Sequence, residues 1–231
     1  MLNRLYPPLS SELRGRILTL WGVLLVGALV IGGIAVYMGN FTRGNVRDQL
    51  TTQQIVFTAA ADLAPVEKAE DAIAGGCLSR YGGELMVTGE QARCYSEHYL
   101  GLHVREQART AGFPGASYAS MGKEQTKIRA DIAAAQAAGN ADAVKTLNEK
   151  LTAAGNLRTT MQTTSMMRGQ LLNAWGWDTF GIGIIVTGAA MIAVGLVFGA
   201  ALAYELTTKS VAAEETEAAP ARAGVAAVAA R

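Results

Sequence analysis

The sequence predicts an all-α protein with two transmembrane helices and a helical extracytoplasmic domain between them. Three observations carry this. Two long uncharged apolar runs, residues 17–42 and 179–204, stand toward the two ends of a 231-residue chain. The intervening 136 residues, 43–178, are rich in Ala, Gln, Leu and Lys and show no strict apolar–polar alternation. Half of the residues are hydrophobic, only 6% are aromatic, and the mean hydropathy is +0.20. That combination suits a chain partly solvated by lipid.

The first run reads Ile17 to Met38 and a polar exit, closed by Arg14 and Arg16 on one side and Arg43 on the other. A spanning helix needs about 20 apolar residues, and both runs meet this. Trp21 and Tyr37 stand near the ends of the first; Trp175, Trp177 and Tyr204 flank the second, between Asp178 and Glu205. Amphipathic rings favour the headgroup level. The first run is too long for a signal-peptide core of about 7–15 residues, and Val36-Tyr37-Met38 offers no small-x-small cleavage site, so a retained anchor is expected.

Orientation rests on two arguments. Arg4, Arg14 and Arg16 precede the first span and Lys209 follows the second, a thin positive-inside bias. Both cysteines, Cys77 and Cys94, fall in the long loop, and such a pair suits an oxidising compartment. The expected topology in the plasma membrane is a cytoplasmic segment 1–16, spans 17–42 and 179–204, an external domain 43–178, and a cytoplasmic tail 205–231. From Val211 the tail is alanine-rich and lacks large aromatics, and disorder is expected there.

Within the loop, apolar residues at Val46, Leu50, Ile55 and Phe57 suggest helix up to a break at Pro65. The glycine-rich stretch 75–89 reads as an irregular connection. Thr88 with Gln91 three residues on resembles a capping box that opens a helix from Glu90 to about Arg109. A loop over 110–122 precedes helices 123–138 and 141–154, a hairpin turning at Gly139-Asn140, with a softer break at Gly155-Asn156. From Leu157 helix is expected to run into the second span.

Chemistry is sparse. Basic and acidic residues number 20 and 19, which gives no footprint for nucleic acid. The loop holds 14 of each, the mixture of a solvated helical surface. A Cys77–Cys94 bridge is expected to be structural, worth about 3 kcal/mol in the chain-entropy model. Two free thiols and a redox switch are the alternatives. His98 and His103 are five apart on an expected helix, so they project about 140° apart. Helical metal pairs use i, i+3 or i, i+4 spacing, so no metal or other cofactor is expected. No nucleophile triad or phosphate loop is present, and no enzyme activity is expected. The second span carries Gly181, Gly188 and Gly195 at sevenfold spacing and Gly195-x-x-x-Gly199; the first carries Ala28 and Gly32. Small faces of this kind let helices approach closely, either span on span or on a partner.

The segments Leu50-Thr-Thr-Gln-Gln-Ile-Val-Phe57, Tyr81-Gly-Gly, Val87-Thr-Gly-Glu-Gln-Ala92, Tyr99-Leu-Gly-Leu-His103 and Arg168-Gly-Gln-Leu-Leu-Asn-Ala174 resemble a family of uncharacterised two-span actinobacterial membrane proteins. The resemblance runs from about residue 10 to 205. It implies the two-span topology and an actinobacterial source, and it transfers no active site.

The expected function is therefore non-catalytic: an accessory or stabilising subunit of a larger envelope or respiratory membrane complex, held in the lipid bilayer and contacting a protein partner or a second copy through its spans. The alternative is a ligand-sensing membrane protein whose external domain acts through a partner.

Overall fold

A computed structural model describes the backbone of residues 11–228 and the side chains of residues 12–207. Its helices are α1 (Ser11–Thr52), a 3-10 turn (Ala60–Asp62), α2 (Pro65–Ile73), α3 (Cys77–Arg80), α4 (Gly89–Cys94), a π-helical segment (Tyr95–Leu100), α5 (Gly101–Thr110), α6 (Tyr118–Ala137) and α7 (Ala141–Val228). The only extended pairing among the described residues is an isolated antiparallel bridge, Val56 to Leu85. The fold is all-α, and α1 and α7 are long and apolar enough to cross a membrane. The chain divides into two compact units: Met1–Phe41 with Gly181–Arg231, and Thr42–Phe180.

The first unit is a helix pair. Its two glycine faces meet. A Cβ on Gly32 would lie 2.7 Å from the Gly188 carbonyl oxygen, and a Cβ on Gly188 would lie 2.7 Å from that of Gly32. Backbones this close exclude any side chain at either position. Gly39 meets the Gly181 carbonyl oxygen at 2.7 Å in the same sense, while the Gly195 position approaches the Ala28 Cβ at 3.2 Å and that of Gly199 approaches Leu25. Arg14 closes this unit with an ion pair to Glu205 at 2.7 Å. These are the charges that bound the two apolar runs, and an antiparallel pair brings them together.

The second unit holds two apolar clusters. One gathers Val46 and Leu50 of α1, Phe57, Leu63, Leu78, Met86, Ala92 and Leu171 around the Cys77–Cys94 pair. The other is the α6–α7 hairpin, where Met121, Ile128 and Ile132 face Ala154, Leu157 and Met161. The i, i+7, i+11 and i, i+3, i+7 spacings are those of helix faces. Gly139 turns the hairpin with φ +69°, a conformation that glycine adopts without strain, and the Asn140 side chain accepts the Ala143 N–H at 3.0 Å.

Several local expectations differ. α6 begins at Tyr118, inside the stretch 110–122 expected as a loop, because the Ser117 side chain caps it there by accepting the Ser120 N–H at 3.2 Å. The first helix ends at Thr52, well before Pro65, because the chain turns at Gln53-Gln54, with Gln54 at φ 51°, to make the Val56 bridge. The stretch 75–89 contains a short helix, α3. The break at Gly155 is absent: glycine costs about 1 kcal/mol in a helix interior, and α7 recovers it by packing on α6, with the Gly155 position 3.7 Å from the Gln125 amide. The backbone is helical to Val228, across the segment from Val211 for which disorder was expected. Residues 1–10, most of the expected cytoplasmic segment, and the last three residues of the tail lie outside the described residues.

Candidate functional site

The second unit is organised around α4 and the π segment, docked on α7. Thr88 opens α4 as the sequence suggests: its hydroxyl accepts the Gln91 N–H at 3.2 Å, and the Gln91 carboxamide oxygen accepts the N–H groups of Val87 and Thr88 at 2.7 and 3.0 Å. Gly89 then lies directly on α7. Its N–H donates to Asp178 Oδ2 at 3.2 Å, and Arg43 Nε donates to Asp178 Oδ1 at 2.9 Å. Asp178 is buried, so both oxygens find their donors inside the protein. Arg168 Nε donates to the Ser96 carbonyl oxygen at 3.0 Å, and the buried Ser96 hydroxyl donates back to the Arg168 carbonyl oxygen at 3.3 Å.

The π segment changes what the two histidines do. A regular α-helix would send them to different faces. A π turn bonds residue i to i+5, so residues five apart align. His98 and His103 both reach α2: His98 Nδ1 stands 3.0 Å from Glu70 Oε1, and His103 Nε2 stands 3.1 Å from Glu67 Oε1. Arg105 adds a 2.7 Å contact to the other Glu70 oxygen. Burial pushes the Glu70 carboxyl up, but the hydrogen bonds and charges of His98 and Arg105 outweigh it and hold it below its usual range. Asp71 is also held low: against burial it accepts the N–H groups of Leu78 and Ser79 at the start of α3. Each histidine thus fastens a carboxylate on α2. Among the described residues no three potential ligands gather as a metal set.

An aromatic ladder lies behind this layer. Phe57 packs on Tyr81 and Tyr95, Tyr95 stacks on Tyr99 at 4.6 Å, and Tyr99 meets His103 at 4.4 Å. Burial, with help from Tyr99 and Glu67, pushes the Tyr95 phenol up to about 12. The Sγ atoms of Cys77 and Cys94 are at bonding distance, with Cα atoms 6.2 Å apart. They join α3 to the end of α4.

On another face of the unit, α1 and α7 enclose a groove of about 480 Å³. Its floor is Val46, Leu50 and Leu171, with Ile55 and Ala174 beside them. One rim carries Asn45, Gln49 and Gln53 from α1 and the turn after it, and the other carries Gln170 and Asn173 from α7. All five residues are exposed, so their carboxamides face solvent and are open to a ligand. No ionisable side chain lines the groove. Thr42, Met167 and Trp177 complete the lining; the last two are 41% and 50% exposed, enough to leave an apolar contact surface open. The sequence reasoning missed this groove. Its signal is the i, i+4, i+8 series Asn45, Gln49, Gln53 beside an apolar stripe.

Compared with models of protein families, with curated proteins and with solved structures, the chain gives no match.

Proposed function

We propose that the chain is a non-catalytic integral membrane protein of the plasma membrane, with α1 and α7 as its two spans, both termini cytoplasmic and residues 43–178 outside, and that the outer domain works by binding a ligand. The carrying observation is the groove: a charge-free concavity with exposed carboxamides on both rims and an apolar floor. Its volume falls in the range of small-ligand sites, roughly 300–1,000 Å³, and its lining is more polar than most of them. The cysteine pair supports the outward placement. The packing of Gly32 with Gly188 and Gly39 with Gly181 supports the span-on-span use of the small-residue faces.

A second reading is the accessory or stabilising subunit of a larger membrane complex. The exposed apolar ridges of the helix pair favour it, for example Val23, Val26 and Val30 on α1 and Val194 and Val197 on α7, which lipid or another subunit must cover. A fusion series tests the topology: an exported phosphatase in the Gly139 turn is expected to be active, and one after Lys209 inactive. The reverse pattern overturns the reading. Extraction in mild detergent separates the two roles, since a stoichiometric set of companion subunits would favour the accessory role.

A further inference from the structure

We propose that the α1–α7 groove binds a neutral polyhydroxylated ring, a carbohydrate presented either free or as the headgroup of a glycolipid. This rests on the ligand-binding reading of the outer domain and names the chemistry of its ligand.

The argument starts from what the rims can and cannot do. A carboxamide offers two N–H donors and a carbonyl acceptor on one planar group. Five of them line one cavity, exposed and open to a ligand. A ligand that satisfies such a set must itself carry donors and acceptors close together on both of its sides. Hydroxyl groups do both jobs at one atom.

Charge narrows the class. No Lys, Arg or His lines the groove, so a phosphate or carboxylate would enter without a counter-charge. No Asp or Glu lines it either, which leaves a cation without a partner. Of the basic residues near in sequence, Arg43 is engaged with Asp178 and Arg168 with the Ser96 carbonyl, and Arg47, exposed between Val46 and Gln49, is not part of the lining. A neutral ligand loses nothing to this absence.

Shape and the apolar surfaces complete the argument. The floor of Val46, Leu50 and Leu171 and the half-exposed Trp177 ring are apolar surfaces inside a polar frame. Sugar rings match that pattern, with C–H groups on their faces and hydroxyls around their edges. A glycan in the groove would lay C–H faces on Trp177 or the floor and turn hydroxyls to rim carboxamides such as Gln49 and Gln170.

The test uses the full chain in phosphatidylcholine nanodiscs, titrated calorimetrically with a panel of neutral disaccharides (maltose, cellobiose, lactose) and, separately, with digalactosyl diacylglycerol incorporated in the disc. Inorganic phosphate and phosphatidylglycerol discs are the charged comparators. The expected result is binding of a neutral glycan that weakens at least about tenfold in a Gln49→Leu/Gln170→Leu variant of unchanged melting temperature. Trp177→Ala should weaken it as well, and Trp177→Phe should restore part of it. Binding of a free disaccharide assigns a soluble ligand; binding of the galactolipid alone assigns a headgroup. Both support the proposal. Binding of phosphate or phosphatidylglycerol in preference, glycan binding indifferent to the rim variant, or no glycan binding by the folded chain would each overturn it. Those failures leave the fusion topology untouched. An inverted topology would sink the underlying reading whatever the titrations give.

Discussion

Gly89→Ala probes the point where α4 rests on α7. The new methyl carbon would stand 2.7 Å from the Asp178 Cβ and 2.9 Å from the Trp175 Cα. Neither is the far end of a flexible side chain, so relief requires α4 to lift from α7. Overpacking of a tight contact costs about 1–3 kcal/mol. Lifting also stretches the Gly89 N–H bond to Asp178, and a bond to a charged acceptor contributes about 1.5–3 kcal/mol. Part of each term is lost, and the expected net cost is about 3 kcal/mol. At roughly 2–4 °C per kcal/mol for a unit of this size, the midpoint should fall about 6–12 °C. The measurement is thermal unfolding of the full chain in detergent, followed by near-ultraviolet circular dichroism. Gly44→Ala is the control, since nothing lies within 4 Å of its added carbon. It should be neutral or slightly stabilising, because alanine is the better helix former. A Gly89→Ala protein that melts within about a degree of the parent, or a Gly44→Ala protein that falls as far, refutes the reasoning.

The remaining predictions concern the fastenings of both units. Glu70 and Asp71 have folded pKa values below their usual 4.5 and 3.8, so their contribution is complete above those values and is lost as pH falls through the folded ones. A pH series of melting curves should show this acid loss, reduced in Glu70→Gln and Asp71→Asn. Tyr95 behaves in the opposite range: with its folded pKa raised from 10.0 to about 12, stability should fall as pH rises between them, and Tyr95→Phe should remove that part of the slope. Replacing Cys77 and Cys94 together by serine should cost about 3 kcal/mol, read from denaturant midpoints. An Ala28→Cys/Gly195→Cys pair should cross-link under an added oxidant, because the two Cβ positions are 3.2 Å apart, a few tenths of an ångström short of the usual disulfide range, and Gly188→Leu should abolish the cross-link on non-reducing gels.

The long-period features of the fold were legible. The uncharged runs place the spanning-length helices, and the hairpin at Gly139-Asn140 and the Thr88–Gln91 cap follow from short-range rules that tertiary structure does not override here. The π segment was not legible. Nothing in Tyr95 to Leu100 forbids a regular turn; it is selected by contacts such as Arg168 with the Ser96 carbonyl, more than seventy positions away. Missing it concealed the shared role of the two histidines, since their spacing was judged against 3.6 residues per turn. Gly39 escaped notice because its partner lies on a helix far along the chain. The groove was missed for a similar reason: its rims come from two distant segments, and the Asn45, Gln49, Gln53 series marks only one of them.

The glycine contacts also set an order of events during synthesis. The ribosome finishes the first helix, with Gly32 and Gly39 on its surface, long before it makes Gly188 and Gly181. Until then the notch on α1 has no partner within the chain. The unit Thr42–Phe180 is made in that interval, so pairing of the two long helices is a late step whatever the pace of the segment between them. Any delay in making or folding that unit lengthens the interval in which the first helix, with its glycine notch open, can pair with the wrong neighbour.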